Sequence, residues 1–522
     1  MKTTTQFWNI RGKFLATCLF AVWLLFLNFN TITAPFQRDE GEYAYSAQLL
    51  RDGGTPYKES FMQKPPMIIY TYYLAQTVSE NVWTPRALAL LFIFLTGLIL
   101  ADLIRKEYDN KSACAFLALF PALLFFPPIQ AFSAQPEVFL LLPLAASWWS
   151  YIRFVEGGEK DLRWIAAAGA FSSVAVLYKP IAVAAILFLL FYILATIFLR
   201  KKSGAAIRAL LAFSAGAVVS ALVVLLPIVV RGGWSDMWNS AFVYNIYYAK
   251  IMGFSPPFGW SLFLCTWPLW GLCLWYLIKI RKNRILFFGI FLSLLLGTMG
   301  GLVGHYYIIT IPALSVIVAV AATDMFRKIE TTSFVARKFH LSYIFIASVV
   351  ALLVIPFAYR FWLTPSQMLY NTYGDATFNF APLVSLKVRE ITSTEDTVFI
   401  DANEPEILYY AHRKSASRFV ITYPLTLPTP LKEKYQDEAI SELKARPPEV
   451  IIDFLTPLTV ARMVKNSNGL DNLEKYLVSQ IAENYNFASA IPLEENDGFI
   501  TVNSSQQLRA RVIPYLVIYK KK

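Results

Sequence analysis

Ionisable and aromatic side chains that could do chemistry stand in a few short polar stretches between long apolar runs. They are Asp39, Glu40, Lys64, Glu137, Lys179, His305 and Tyr306. A carboxylate can take up a proton or bind a metal ion, and a lysine or histidine can bind an anion. Acids and bases gathered around one site favour an anionic substrate, and the apolar surroundings favour one that is linked to a lipid.

The elements that must position these residues are membrane-spanning helices. The 522 residues are 56% hydrophobic and 16% aromatic, with a mean hydropathy of +0.48, which is typical of a polytopic membrane protein. A helix crosses a bilayer with about 20 apolar residues. Eleven runs of this kind occur, at 14–34, 84–104, 112–132, 138–152, 164–178, 181–199, 205–230, 260–280, 285–303, 306–326 and 341–363. The fourth and fifth are short, so one span more or one fewer stays open.

Lysine and arginine concentrate in alternate loops, such as "RKEYDNK", "RKKSGAAIR" and "KIRKNR". Cytoplasmic loops are enriched in these residues, so the pattern predicts a cytoplasmic N-terminus. With an odd number of spans, the C-terminus is expected outside. Pro35 directly follows the small residue at which a signal peptide would be cleaved, which favours a retained first span.

The formal net charge of +12 follows from this topology. Residues 364–522 hold 17 basic and 19 acidic side chains, so the positive excess lies in the membrane part, mostly in cytoplasmic loops. No nucleic-acid partner is expected. Cys18, Cys114, Cys265 and Cys273 all lie in predicted spans and imply neither a disulfide framework nor a zinc cluster.

Two parts are predicted: a membrane body of residues 1–363 and an external α/β domain of residues 364–522. β-Branched residues between turn formers predict strands at 397–402, 418–422, 448–454, 498–503 and 515–519. Residues 432–446 have the pattern of an amphipathic helix. No glycine-rich phosphate loop follows these strands.

Residues 35–83 are expected to form a long external loop against the outer leaflet. Within it, Asp39 as N-cap, Glu42 three residues later and Gly53-Gly54 as a stop predict a short helix on the membrane surface. Capping alone would explain Asp39 without any chemistry. An interfacial lysine that extends its amine to the headgroups would explain Lys64.

The other candidates have structural explanations too. Glu137, at the outer mouth of the fourth span, suits a helix start, although a lone carboxylate at that depth is costly unless it is paired or functional. Lys179 can reach the headgroups, and His305 can pack. Tyr306 and Tyr307 can belong to the aromatic belt. Their collection at the mouths of several spans, however, favours a site over a conduction path.

Several motifs resemble those of a known family. "RDEGEYAYSAQLLRDGG", "QKPPMIIYTYYLA", "WTPRALALLFIFLTGLILADLIRK", "VLYKPIAV" and "GHYYIITIPAL", together with Glu137, are similar to membrane glycosyltransferases of the GT-C fold. The likeness is to the protein-mannosyltransferase-like group, which includes the aminoarabinose transferases that modify lipid A and the RgtA/B/C/D-like enzymes of bacteria. It covers the membrane body through about residue 325.

The resemblance implies an inverting transfer of a sugar from a polyprenyl-phosphate-linked donor to an envelope glycolipid or polysaccharide, on the external face of a bacterial inner membrane. Asp39 matches the general base of the family, and Glu40 is its neighbour in the motif. Glu137 matches an acid that orients the acceptor or a metal. No dense acidic cluster supports a firm metal site, although Asp39 with Glu137 could hold one divalent ion, and metal dependence stays open.

The resemblance also implies a residue that binds the donor phosphate. Lys64 matches the lysine before the paired prolines, which has this role. Lys179, His305 and Tyr306 are candidate second contacts. Such groups suit a transition state in which negative charge builds on a departing phosphate.

Other classes of function remain. A transporter or flippase of lipid-linked saccharides would work without chemistry, but such proteins often have even span counts and inverted repeats with broken helices. A sensor with a membrane anchor would not need eleven spans. Protein O-mannosylation is disfavoured because the extra lumenal domains of those enzymes have no counterpart here. Glycoside hydrolysis is disfavoured because it needs no lipid-embedded donor site.

Overall fold

The computed structural model describes residues 10–201, 203–252, 256–280, 284–298, 304–332, 340–374, 377–455, 470–493 and 515–522. The membrane part is helical: α1 (Ile10–Asn28), α2 (Arg38–Arg51), α3 (Met67–Val78), α4 (Trp83–Glu107), α5 (Asn110–Leu124), α6 (Pro136–Phe139), α7 (Leu141–Glu156), α8 (Arg163–Tyr178), α9 (Val183–Lys201), α10 (Ser203–Val230), α11 (Trp234–Trp238), α12 (Tyr244–Met252), α13 (Pro256–Lys279), α14 (Arg284–Thr298), α15 (Ile311–Thr332) and α16 (Leu341–Val354). Short 3₁₀ segments adjoin several of them, at Pro127–Ile129, Pro180–Ala182, Gly304–Thr310 and Ile355–Trp362.

Helical segments occupy all eleven positions predicted as spans. Within the described residues, seven are long and apolar enough to cross a membrane: Arg11–Asn28, Trp83–Glu107, Pro136–Glu156, Pro180–Arg200, Ser203–Val230, Gly304–Arg327 and Leu341–Trp362. Asn110–Leu124 and Arg163–Tyr178 are apolar but shorter. The chain is a multi-pass membrane protein, whereas the count of eleven spans and the side on which each end lies stay predictions.

The C-terminal part combines helices with a sheet. Its helices are α17 (Pro365–Tyr373), α18 (Thr377–Ile391), α19 (Glu406–Ala411), α20 (Tyr423–Thr426), α21 (Lys432–Ala445) and α22 (Asn472–Asn484). Its strands are β1 (Thr397–Asp401), β2 (Lys414–Ser415), β3 (Val450–Leu455), β4 (Tyr485–Pro492) and β5 (Tyr515–Lys521). They lie in the order β2-β1-β3-β5-β4. β1 is parallel to β2 and β3, and β5 is antiparallel to β3 and β4.

The predictions for this part had mixed outcomes. Strands near 397–402, 448–454 and 515–519 and the helix near 432–446 are present. The strand predicted at 418–422 is wrong, because Phe419 and Val420 are buried in a turn before α20 without pairing in the sheet. A run of apolar β-branched residues has the same composition whether it pairs with a strand or is only buried in a turn, so composition alone could not distinguish the two. β4 was not predicted, and 498–503 lies outside the described residues.

Helix α2 is buried between the helical bundle and the C-terminal part rather than laid on a membrane surface. Gly41 lies against Glu406, and a Cβ at Gly41 would be 2.6 Å from the backbone nitrogen of Glu406. The backbone N–H of Ser415 donates to the Tyr45 hydroxyl at 2.8 Å. The C-terminal part therefore fixes one face of α2, and the opposite side of the helix meets the membrane body.

Candidate active site

The Asp39 carboxylate lies in the first turn of α2 and does not cap the helix. The N-cap is Gln37, whose side-chain oxygen accepts the backbone N–H of Asp39 at 2.9 Å. Glu40 completes a capping box by accepting the backbone N–H of Gln37 at 3.4 Å. The prediction of Asp39 as N-cap is therefore wrong, because an amide side chain two residues earlier takes that position. The Asp39 carboxylate is half-buried and accepts a hydrogen bond from Gln135 Nε2 at 3.4 Å.

Glu40 points away from Asp39 into a buried ion pair. Its oxygens lie 3.0 Å from Arg86 Nε and 2.6 Å from Arg86 Nη2, with 0% and 2% of the two side chains exposed. The backbone N–H of Ala134 also donates to Glu40 at 2.9 Å. Arg86 donates further to the carbonyl oxygens of Thr31 and Pro35, each at 2.9 Å. The Glu40–Arg86 pair thus ties three chain segments together beneath the site.

Lys64 lies in the loop before α3, and its ammonium group forms no ion pair or hydrogen bond with the described residues. Its backbone is held instead: the Tyr57 hydroxyl donates to the carbonyl of Lys64 at 2.7 Å. Burial alone would lower the pKa of Lys64, but Asp39 and Tyr306 raise it above the ordinary value. Lys64 is therefore a charged amine inside the site, available to an anion.

Glu137, Lys179, His305 and Tyr306 form a second group of contacts. Lys179 forms a buried ion pair with Glu137, and His305 Nε2 lies 3.6 Å from the same Glu137 oxygen. The Lys179 ammonium also lies 3.7 Å from the centre of the Tyr306 ring. The other Glu137 oxygen, Oε2, is buried and accepts no hydrogen bond within the described part of the chain.

Asp39 and Lys64 face the second group of residues. Gln135 links them, since it donates to Asp39, accepts the Tyr43 hydroxyl at 3.3 Å and precedes Glu137 by two residues. Burial alone would raise the pKa of Asp39, but Lys64, followed by His305, lowers it below the ordinary value. The structure thus brings together every predicted site residue except Glu40, whose carboxylate is turned into the Arg86 pair. An ionised carboxylate beside an unpaired ammonium is the result.

Three further residues help to build the candidate site and were not predicted as site residues: Glu42, Gln135 and Arg86. Glu42 is 3% exposed and accepts the backbone N–H of Gln63, the residue before Lys64, at 3.4 Å. Helical spacing was the available signal, because residues three apart share a face and adjacent residues do not. Position 42 therefore lies near position 39, whereas position 40 points elsewhere.

An apolar cavity of about 360 Å³ lies in the bundle, lined by residues of α4, α7 and α15 among others and by none of the candidate site residues. Its lining includes Leu141, one turn after Glu137, and Ala185 and Ile309, which follow Lys179 and His305 in sequence. Trp148 lies farther down α7, and Glu156 lines the far end. The cavity has the apolar character that a lipid chain requires.

The residues present do not suit a divalent cation. Among the described residues, no group of three or more histidine, cysteine, aspartate or glutamate side chains is arranged to hold a metal ion. Asp39 lies near the charge of Lys64, and Glu137 is paired with Lys179. Two ammonium groups beside two carboxylates would repel a divalent ion.

The fold is that of the GT-C membrane glycosyltransferases. The model of the family described as dolichyl-phosphate-mannose-protein mannosyltransferase matches residues 63–231. The resemblance to the mannosyltransferase-like group is thereby confirmed.

Two solved structures illustrate the likeness. One is ArnT from Cupriavidus metallidurans bound to undecaprenyl phosphate, with a TM-score of 0.55 and 13% identity over 98% of each chain. The other is the archaeal oligosaccharyltransferase AglB from Archaeoglobus fulgidus, in complex with an inhibitory peptide and a dolichol-phosphate. It has a TM-score of 0.55 and 11% identity, covering 96% of this chain and 75% of that chain. At these identities the likeness establishes the fold. A comparison with curated proteins found no match.

Proposed function

We propose that this protein transfers a sugar from a polyprenyl-phosphate-linked donor to a hydroxyl group of an envelope glycolipid or polysaccharide. The observation that carries the proposal is the Asp39 carboxylate in the electrostatic field of the unpaired Lys64 ammonium, at a buried site of a helical bundle that also encloses an apolar cavity. Conduction or transport would not require a base and an anion-binding cation at one point.

The chemistry needs one base and one cation. Asp39 takes the proton of the acceptor hydroxyl, whose oxygen forms the new bond to the anomeric carbon. The bond from that carbon to the donor phosphate oxygen breaks, and the lipid phosphate leaves with the bonding electron pair. Lys64 stabilises the charge on the departing phosphate. A single displacement of this kind inverts the anomeric carbon.

The remaining groups orient the substrates. Glu137 keeps one oxygen without a hydrogen bond from the described residues, which suits the binding of an acceptor or sugar hydroxyl. Lys179 is paired with Glu137 and is a secondary contact for phosphate, along with His305 and Tyr306. Glu40 serves as a positioning residue, since Arg86 occupies its carboxylate.

A lipid donor fits the cavity and the relatives. ArnT of similar fold is bound to undecaprenyl phosphate, and AglB of similar fold to a dolichol-phosphate. An apolar lining along α7 suits a polyprenyl chain whose phosphate lies near Lys64. No step requires a metal ion.

The site is proposed to lie on the external side of the membrane. Basic residues end several helices away from the site, for example Arg105 and Lys106 on α4 and Lys279 on α13. Positive residues favour the cytoplasmic side. The C-terminal part, which docks on α2 at the site end, would then be external.

The test begins with mass spectrometry of cell-envelope glycolipids with and without the gene, which identifies the product. Asp39→Asn is expected to reduce transfer by about 10²–10⁴-fold, because it removes the base but keeps the shape. Asp437→Asn makes the same change at an exposed position and should restore the product fully. Full product with Asp39→Asn, at equal protein level in the membrane, would refute the role of Asp39.

Lys64 has a separate test. Lys64→Met should raise the apparent KM for the donor, because the phosphate loses its cation, whereas Lys58→Met in the same loop is exposed and should change nothing. An unchanged donor KM would return Lys64 to the role of an interfacial lysine. Deletion of the gene that leaves every glycolipid intact, but causes lipid-linked saccharides to accumulate, would favour a flippase.

A further inference from the structure

Glu42 is a second carboxyl group at the site, and the proposed reaction leaves it without a role. It lies three residues after Asp39 on α2, so both side chains project from neighbouring positions of one helix face. It is 3% exposed, and within the described residues it forms no ion pair. A buried carboxyl group without a cationic partner is costly when it is ionised.

The contacts of Glu42 reach the backbone that carries Lys64. Glu42 accepts the N–H of Gln63 at 3.4 Å, while Asn245 Nδ2 donates to the carbonyl of Gln63 at 2.7 Å. The Tyr57 hydroxyl holds the carbonyl of Lys64 at 2.7 Å. Three elements therefore fix this turn, and among these three contacts Glu42 is the one made by a carboxyl group, which shares the local field of the Lys64 ammonium.

The charges around Glu42 are few and identifiable. Burial raises the pKa of Glu42 to about 8, while the charge of Lys64 opposes the shift and that of Asp39 adds to it. The titratable groups that face it come from α2, from the loop before α3 and from α12: Asp39, Tyr43, Tyr57, Lys64 and Tyr244. Burial holds the pKa values of the three tyrosines above their ordinary value, so the tyrosines stay neutral through the pH range in question.

We propose that Glu42 is a positioning residue that must be protonated for Lys64 to capture the donor phosphate. The proposal rests on the proposed function and adds a control to it. A neutral Glu42 holds the Gln63–Lys64 turn by a hydrogen bond and leaves the ammonium to the phosphate. An ionised Glu42 competes with the phosphate for the same ammonium and adds a repelling charge.

The size of the effect follows from the fraction of protein with a protonated Glu42. With a pKa of about 8, roughly nine tenths of the molecules are protonated at pH 7 and about 3% at pH 9.5. If only the protonated form binds, the affinity for a lipid phosphate falls by about 30-fold across this interval. Lys64, whose pKa is raised, keeps its charge throughout.

The experiment measures binding of undecaprenyl phosphate to the full-length protein in detergent, by titration at pH 7 to 9.5. The second pKa of a monoester phosphate is about 6, so roughly nine tenths of the probe is dianionic at pH 7 and nearly all of it at pH 9.5. This change strengthens the negative charge of the probe, so a loss of affinity at high pH reports on the protein. Wild-type protein should lose about 30-fold more affinity than Glu42→Gln, a neutral isostere, in which only the loss of charge on Lys179 remains, because burial lowers the pKa of Lys179 to about 8. Glu395→Gln removes an exposed carboxylate of the C-terminal part and should keep the wild-type profile.

The outcomes separate the two proposals. The same loss of affinity in Glu42→Gln and in wild type would overturn the role of Glu42 while leaving the donor site intact. If the affinity for undecaprenyl phosphate changed neither with pH nor in Lys64→Met, both the proposed donor site and the proposed role of Glu42 would be overturned. Kinetics supply a further readout: the alkaline change should appear in the donor KM rather than in kcat, and Glu42→Gln should reduce it by the share that Glu42 contributes. A purely structural role would lower kcat and protein yield in Glu42→Gln at every pH, which also contradicts the proposal.

Discussion

The buried pair of Glu40 and Arg86 offers the sharpest test of how the site is built. If Glu40 only positions the site, removal of Arg86 should lower the free energy of unfolding and leave the rate of sugar transfer by the folded protein unchanged. Arg86→Met leaves a carboxylate with 0% exposure without its cation, and breaking a buried pair in this way costs about 3–5 kcal/mol. Loss of the contacts to Thr31 and Pro35 would add to that cost.

The assay is the unfolding midpoint in detergent, by heat or by a denaturing detergent, for single and double variants. Glu40→Leu alone should be as harmful as Arg86→Met, because it leaves a buried guanidinium without its anion. The double variant should be less destabilised than the sum of the two, since it leaves neither charge unpaired. A matched control is the pair Asp102 and Arg105, also 2.6 Å apart but partly exposed, which should be worth about 1 kcal/mol or less.

Activity then separates positioning from catalysis. The double variant keeps Asp39 and Lys64, so we expect it to retain transfer in proportion to the amount of folded protein. A double variant with wild-type stability and no activity would refute the reasoning and make Glu40 a catalytic residue. Additive destabilisation by the two single changes would show that the pair does not act as a unit.

Three other predictions follow from the same contacts. Gly41→Ala should loosen the contact of α2 with the C-terminal part, because the new Cβ would lie 2.6 Å from the Glu406 nitrogen; faster limited proteolysis of the C-terminal part would show it, and unchanged cleavage would contradict it. A chelator such as EDTA should leave transfer unchanged, since Lys64 and Lys179 already balance the acids; loss of activity that returns with added metal would reverse that conclusion. Because the pKa of Asp39 is lowered, kcat/KM should hold from pH 7 down to about pH 5, and an acid limb near pH 6 would show that another group is the base.

Much of the fold could be predicted because the signals are local. Apolar runs long enough to cross a bilayer mark the helices wherever the chain is described, and β-branched runs between turn formers mark β1, β3 and β5. The failures came where local composition does not decide. The segment 418–422 has strand composition, but its neighbours in space leave it unpaired, and β4 was missed because its sequence, "YNFASAIP", mixes polar and apolar residues.

By itself, the sequence determined that this is a multi-pass membrane protein and predicted the residues of its candidate site, because hydropathy and charge act over a few consecutive residues. It placed Asp39, Lys64 and Glu137 at the mouths of apolar helices. Only the tertiary structure decided how the acids are placed. Glu40 is turned into an ion pair with a residue 46 positions away, and Glu42 is brought beside Lys64. Such partners are distant in the chain, so charge and burial at the site exist only once the helices have packed.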